Sequence, residues 1–188
     1  MHMGRPVKSL FEAHFRRGEP ADLNALCAFE SRAWTDRMSR RSLRRLLASP
    51  SAAIVVAEAD GAITGAAIVL FRANSRVARL YSIAVDPEYT GRGIAKALLA
   101  QAEKIARSRQ CRSLRLEVHE KNHCAIRVYS GAGYQEFGRY AHYYEDRGHA
   151  LRFEKELGFE KERAPSSAPL RLEQAVVGLA PPVADSSR

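Results

Sequence analysis

Cysteine is scarce in this chain: Cys27, Cys111 and Cys124 are odd in number and show no C-x-x-C spacing, so neither a disulfide framework nor a zinc site is expected. No apolar run approaches the ~20 residues of a membrane span, and the opening residues lack the apolar centre of a secretory signal; the expectation is a cytoplasmic protein with no membrane partner. Internal repeats are missing. Acidic residues are in deficit, with 30 Lys and Arg against 21 Asp and Glu giving a net charge of +9. The basic cluster Arg37, Arg40, Arg41, Arg44 and Arg45 has no zinc-finger or RNA-binding signature beside it, so no specific nucleic acid is expected. What the chain does have is 46% hydrophobic residues over 188 positions, enough for one domain with a core.

The patterning divides the chain into a leader over 1–12, a domain over 13–157 and, where Pro, Ser and Ala accumulate, a flexible tail over 158–188 with one short helix over 171–179. Within the domain, 13–17 reads as an edge strand and 21–32 as a helix. A second helix opens at Ser39, a good N-cap, puts Leu43, Leu46 and Leu47 on one face, and stops at Ser49-Pro50. Strands over 52–59 and 62–72 join through Asp60-Gly61, a tight hairpin dipeptide, and a strand over 77–85 completes an antiparallel run. A helix from Gly91 to about Arg109 leads to the alternating strand Ser113–His119, which pairs parallel with the earlier sheet. Asn122 caps a short helix ending at Gly131-Ala-Gly133, and strands over 134–144 and 149–157 form a closing hairpin.

The stretch that organises the rest runs from Leu80 to Leu99. An apolar β-branched run ends at Asp86-Pro87, Gly91 and Gly93 make a turn, and a helical pattern begins at once. The first N–H groups of a helix have no partner within it, and the aligned peptides place partial positive charge there, so this turn is built to receive an anion. Glycine at 91 and 93 removes the Cβ atoms that would hold a phosphate off the backbone. The string is neither a G-x-G-x-x-G fingerprint, since Lys96 holds the third position, nor a P-loop.

Ile83-Ala-Val-Asp-Pro87 followed by Gly91-Arg-Gly-Ile-Ala95 and a Leu-rich helix resembles the acetyl-CoA-binding motif of the GNAT N-acetyltransferases, Gln/Arg-x-x-Gly-x-Gly/Ala, with Thr90 at the leading position and Gly93 and Ala95 at the small ones. A second block, Leu-x-Val-x-x-x-Asn-x-x-Ala-x-x-x-Tyr-x-x-x-Gly-Phe, is matched by Leu116, Val118, Asn122, Ala125, Tyr129 and Gly133, with Tyr134 for Phe. Leu116-Glu-Val118, Tyr129 and the Tyr140–Tyr144 run most resemble the ribosomal-protein alanine N-acetyltransferases, although Asp36-Arg37-Met38 stands where those carry Phe-Pro-Trp. The resemblance implies an α/β GNAT fold: a mixed, mostly antiparallel sheet of about seven strands with flanking helices, splayed between the strand ending at Val85 and that of Glu117.

It further implies acetyl-CoA as acetyl donor, coenzyme A as product, no metal, and direct transfer to an amine, with a protein N-terminal α-amine as the leading acceptor and a ribosomal protein among the partners. The alternatives are a small-molecule amine such as a polyamine or antibiotic, or a non-catalytic module that binds coenzyme A or docks on RNA; monomer and homodimer both stay open. By the same resemblance, Ile83, Ala84 and Val85 at the distorted strand end hold the carrier arm and polarise the carbonyl; Thr90, Gly91, Arg92, Gly93, Ile94, Ala95 and Lys96 bind the diphosphate; and Asn122 and Tyr129 touch the carrier. Tyr129 meets the departing sulfur; with a phenol near ~10 and a thiol near ~8.5, full proton donation runs uphill, so a hydrogen bond is the larger part of the role. Glu117, acting through a water, is the candidate base for an amine with a pKa near ~8, against a plain salt bridge with an arginine, and His119 shares its face. Asp36, Tyr143 and Tyr144 are candidates for the acceptor side.

Overall fold

The structure, a computed structural model, describes residues 13–33 and 38–158. The leader, Asp36, and the tail beyond Gly158 with its expected helix lie outside the described residues. In chain order the elements are β1 (His14–Arg17), α1 (Leu23–Ala33), α2 (Arg40–Ala48), β2 (Ala52–Ala59), β3 (Ala62–Leu70), β4 (Val77–Val85), α3 (Ile94–Ser108), β5 (Ser113–His119), α4 (His123–Gly131), β6 (Gln135–Tyr140) and β7 (Ala150–Glu156). The strands form one sheet in the order β1-β2-β3-β4-β5-β7-β6, with β4 and β5 parallel and every other pair antiparallel. No helix among the described residues is long and apolar enough to cross a membrane.

Two cores flank the sheet. On one side Val55, Ala67, Val69, Ala78, Leu80, Leu114, Leu116 and Phe153 pack against Ile94, Leu98, Leu99 and Ala102 of α3. On the other side Ile54, Val56, Ala66 and Ile68 of β2 and β3 pack against Leu26 and Phe29 of α1 and Leu43 of α2. Alternation along each strand divides the residues between the two. The second layer reaches no further than Ala84 at the end of β4. On that side the continuation of the sheet carries Arg115 and Glu117 of β5 and Arg152 of β7, all half-buried, and among the described residues no helix lies over them.

Buried Glu103 of α3 receives Lys155 of β7 at 2.8 and 2.9 Å and Arg107 at 3.1 Å, pinning the helix to the far half of the sheet. Gly65 of β3 lets the start of α3 come close: a Cβ there would meet Ile94 Cγ2 and Leu98 Cδ1 at 3.0 Å and the Ala84 carbonyl at 3.2 Å.

Among the boundaries that differ from the sequence expectation, three have a local cause. Helix α3 begins at Ile94 rather than Gly91, because Gly93 is its N-cap at φ +81°. The first helix opens as a 3-10 turn over Pro20–Asp22 before α1. The strand expected over 134–144 ends at Tyr140, since the chain turns through His142 at φ +52° and leaves Tyr143 and Tyr144 in the connection to β7.

Candidate active site

The parallel ladder between β4 and β5 covers only Val77–Leu80 against Ser113–Leu116. Beyond it the two strands run on to Val85 and His119 without pairing, so the sheet opens into a wedge. The cause lies on the other edge of β4, where Val69 pairs with Leu80 and Ile68 with Ser82, leaving Tyr81 as an extra residue. A bulge of this kind bends the strand and inverts its alternation. Before it Ala78 and Leu80 face the α3 core; after it Ile83 and Val85 do, and Ala84 turns to the α1 side. The distortion thus sits at Tyr81, upstream of the 83–85 stretch expected from the sequence.

The same phase fixes the backbone. Asp86 donates its N–H to the Thr64 carbonyl at 2.8 Å, in register with the Gly65–Val85 pair. In an antiparallel ladder successive residues alternate in direction, so Ala84 and Ser82 also turn their polar groups to β3, while Ile83 and Val85 point theirs into the wedge. Asp86 is held in place: its carboxylate accepts from Arg32 Nε of α1 at 2.9 Å and from the Glu88 N–H at 3.1 Å. The Arg32 hydrogen bond keeps the Asp86 acid strength well above that of an ordinary aspartic acid, outweighing its burial.

At the glycine turn, Gly91 (φ +73°) and Gly93 (φ +81°) are both left-handed, with no atom within 4 Å of where a Cβ would stand, so backbone conformation and not crowding requires glycine there. Ala97 is the first residue to bond back, to Gly93 at 3.0 Å. The N–H groups of Ile94, Ala95 and Lys96 precede it and have no carbonyl within the helix, which leaves an open, donor-lined cradle. Lys96 is exposed beside it. Thr90 turns its hydroxyl onto the Pro87 carbonyl at 2.9 Å, and Arg92 folds over the Tyr89 ring at 4.9 Å while donating to the Glu88 carbonyl at 3.2 Å.

Across the wedge, Tyr129 of α4 is 6% exposed against Tyr134 and Phe153, and its hydroxyl has no hydrogen-bond partner among the described residues. Burial first, and Tyr144 second, push its phenol up to about 12. Glu117 receives Arg79 Nε of β4 on Oε2 at 2.8 Å, leaving Oε1 without a described partner. Arg79 Nη2 also reaches the Tyr143 hydroxyl at 3.5 Å. Tyr143 stacks on Tyr140 and meets Tyr144 edge to face, which places all three at the mouth.

The remaining candidates have local roles. His119 accepts the Lys121 N–H on Nδ1 at 3.0 Å and faces Asp146 through Nε2 at 3.0 Å, so this network occupies both ring nitrogens and leaves no proton-accepting atom for the wedge. Asn122 caps α4 through the Ala125 N–H at 3.1 Å. No three His, Cys, Asp or Glu among the described residues gather as a metal site. Sequence reasoning passed over Arg79, Tyr81 and the Arg32–Asp86 pair. The signal was present for the first two: a lone arginine between Ala78 and Leu80 must face away from the core, and the shift of apolar phase from 78 and 80 to 83 and 85 marks the extra residue.

Comparison with known proteins bears on the family and the fold. The model of the acetyltransferase (GNAT) family matches residues 21–134. A candidate ribosomal protein bS18-alanine N-acetyltransferase of Bacillus subtilis (strain 168) is 30% identical over 128 residues, 68% of this chain and 83% of that protein. The ribosomal-protein-S18-alanine N-acetyltransferase of Escherichia coli superposes with a TM-score of 0.71 at 26% identity, covering 81% of this chain and 98% of its own. The ribosomal-protein-alanine N-acetyltransferase of Brucella melitensis shares the fold, with a TM-score of 0.67 at 23% identity over 77% of this chain and 99% of its own. This chain belongs to the acetyltransferase (GNAT) family.

Proposed function

We propose that this N-acetyltransferase takes its acetyl group from acetyl-CoA and delivers it to the α-amine of a protein N-terminus, an alanine of a ribosomal protein in the first instance. The observation that carries the acceptor class is the uncovered half of the sheet. The wedge opens toward a face where Tyr81, Phe137, Tyr140 and Tyr143 are each 40–50% exposed. A small amine calls for an enclosed pocket, whereas an open aromatic and polar surface continuous with the reaction site accommodates a polypeptide. The alanine N-acetyltransferases of Bacillus subtilis and Escherichia coli support the same class.

The residues present fit the donor. The N–H groups of Ile94, Ala95 and Lys96, with the Cβ-free cradle at Gly91 and Gly93, suit a diphosphate, and Lys96 adds a positive charge. The wedge-facing groups of Ile83 and Val85 suit an amide-bearing arm laid along β4, in the manner of an added strand. When bound, acetyl-CoA supplies an acetyl group activated as a thioester.

The chain's own part is orientation and proton handling. The amine must be neutral to attack, and Glu117 Oε1, without a partner among the described residues, accepts its proton through a water. The Tyr129 hydroxyl, also without a partner among the described residues, donates a hydrogen bond where negative charge develops on the leaving side. Tyr143 and Tyr144 hold the acceptor chain at the mouth. The test is incubation with acetyl-CoA and three acceptors: a peptide with a free N-terminal alanine and an internal lysine, its Nα-blocked form, and spermidine. Mass spectrometry should find acetyl on the free α-amine alone; acetylated spermidine or lysine with an untouched α-amine would overturn the acceptor class.

A further inference from the structure

Glu117 sits where β5 leaves the ladder, one residue past the last pair, Leu80 with Leu116. Its side chain is 13% exposed, so its orientation depends on what the neighbouring elements present. From its own strand come Arg115, paired with Glu154 at 3.0 Å, and His119, engaged by Asp146. From β7 comes Arg152, the register partner of Glu117, whose guanidinium lies 4.5 Å from the centre of the Phe137 ring and 4.3 Å from that of Tyr140. From the β6–β7 connection come Tyr144, which also lies near Tyr129 of α4, and Tyr143, which meets Arg79. The cation that bonds the Glu117 carboxylate is therefore Arg79 of β4, through Nε at 2.8 Å. No other cation among the described residues bonds it.

We infer that Arg79 is a positioning residue for proton acceptance at Glu117. By fixing Oε2 it holds the carboxylate in one orientation and leaves Oε1 without a partner among the described residues. The Nη2 contact with Tyr143 at 3.5 Å ties the same guanidinium to the acceptor mouth. Sequence geometry builds the pair: Arg79 and Glu117 each follow a core-facing residue, Ala78 and Leu116, on adjacent strands, so both emerge on the uncovered face.

The inference rests on Glu117 as proton acceptor, and the experiment separates the two claims. The full chain is assayed with the alanine peptide, recording kcat and the KM for acetyl-CoA for wild type, Arg79→Met, Arg79→Lys, Glu117→Gln and the Arg79→Met, Glu117→Gln double variant, each with a thermal melt. Arg79→Met should lower kcat about tenfold because the carboxylate is no longer held, and should leave the KM for acetyl-CoA unchanged. Arg79→Lys keeps the charge without the guanidinium geometry and should recover part of that loss. In the Glu117→Gln background Arg79→Met should cost little more, because it acts through that carboxylate. A kcat within twofold of wild type in Arg79→Met, or an equal further loss in the Glu117→Gln background, overturns the role of Arg79. Should Arg79→Met fail to fold, Arg79→Gln takes its place with the same outcomes. A Glu117→Gln enzyme with wild-type kcat refutes Glu117 as acceptor instead.

Discussion

Replacing Tyr129 by Phe removes one oxygen and leaves the packing against Tyr134 and Phe153 in place, with ring centroids at 6.0 and 6.5 Å. Because the hydroxyl has no partner among the described residues, its loss breaks none of their hydrogen bonds, and the melting temperature should hold or rise slightly. The chemical cost is set by burial. A phenol pushed up to about 12 facing a thiol near ~8.5 would give up its proton at an expense of about 5 kcal/mol, at ~1.36 kcal/mol per pH unit. Complete transfer is therefore a poor account of its role, and a hydrogen bond to developing charge, ~1.5–3 kcal/mol, is the better one. That range converts to a roughly 10- to 150-fold fall in kcat. The assay is steady-state release of free thiol with the alanine peptide, with acetyl-CoA affinity measured by calorimetry. A kcat within twofold of wild type in a protein of unchanged stability would remove Tyr129 from the reaction. A loss confined to acetyl-CoA affinity would recast it as a binding residue.

Gly65→Ala places a Cβ 3.0 Å from Ile94 and Leu98, at the start of the helix that offers the free N–H groups. Overpacking of this kind costs ~1–3 kcal/mol, or roughly 2–4 °C of melting temperature per kcal/mol in a domain of this size, and displacing the helix start should weaken acetyl-CoA binding several-fold. Equal affinity measured by calorimetry would show that the neighbours absorb the methyl group. Asp86 is more acidic in the fold than in the unfolded chain, so its contribution to stability is present above the unfolded value near ~4 and is lost as pH falls through the lower folded one. Asp86→Asn should therefore lower the melting temperature at pH 7 and flatten its fall below pH ~4; a variant that tracks wild type down the acid side would contradict the pairing with Arg32.

Much of the fold could be read before any coordinates because local chemistry and global arrangement agree. Asp60-Gly61 closes the β2–β3 hairpin, with Asp60 at φ +52° and Gly61 at φ +75°. Ser39 and Asn122 cap their helices as their residue types demand, at 3.1 Å in each case. Alternation puts Leu114, Leu116 and Val118 on one face of β5, and all three are buried. The failures come from interactions distant in sequence. Nothing in Tyr134–Tyr144 marks its last residues as leaving the sheet, because alternation persists while the turn at His142 is set by its meeting with His149 and Arg147. The Glu117–Arg79 bond spans 38 positions and two strands joined through a helix, so the sequence supplies both charges without choosing among many arginines. His119 invited a catalytic reading by its face alone, and only the approach of Asp146 and the Lys121 amide, made possible by Gly148 lying against the ring, assigns it a structural place.

The central claim is that the wedge-facing amides of β4 and the free amides of α3 grip the acetyl donor. Amide-resolved hydrogen exchange by NMR, with and without saturating acetyl-CoA, tests it most directly. Exchange at Ile83, Val85, Ile94, Ala95 and Lys96 should slow at least tenfold, while Ala84, already directed at β3, changes little. Unaltered exchange at those five amides under conditions where the donor is bound would contradict the account.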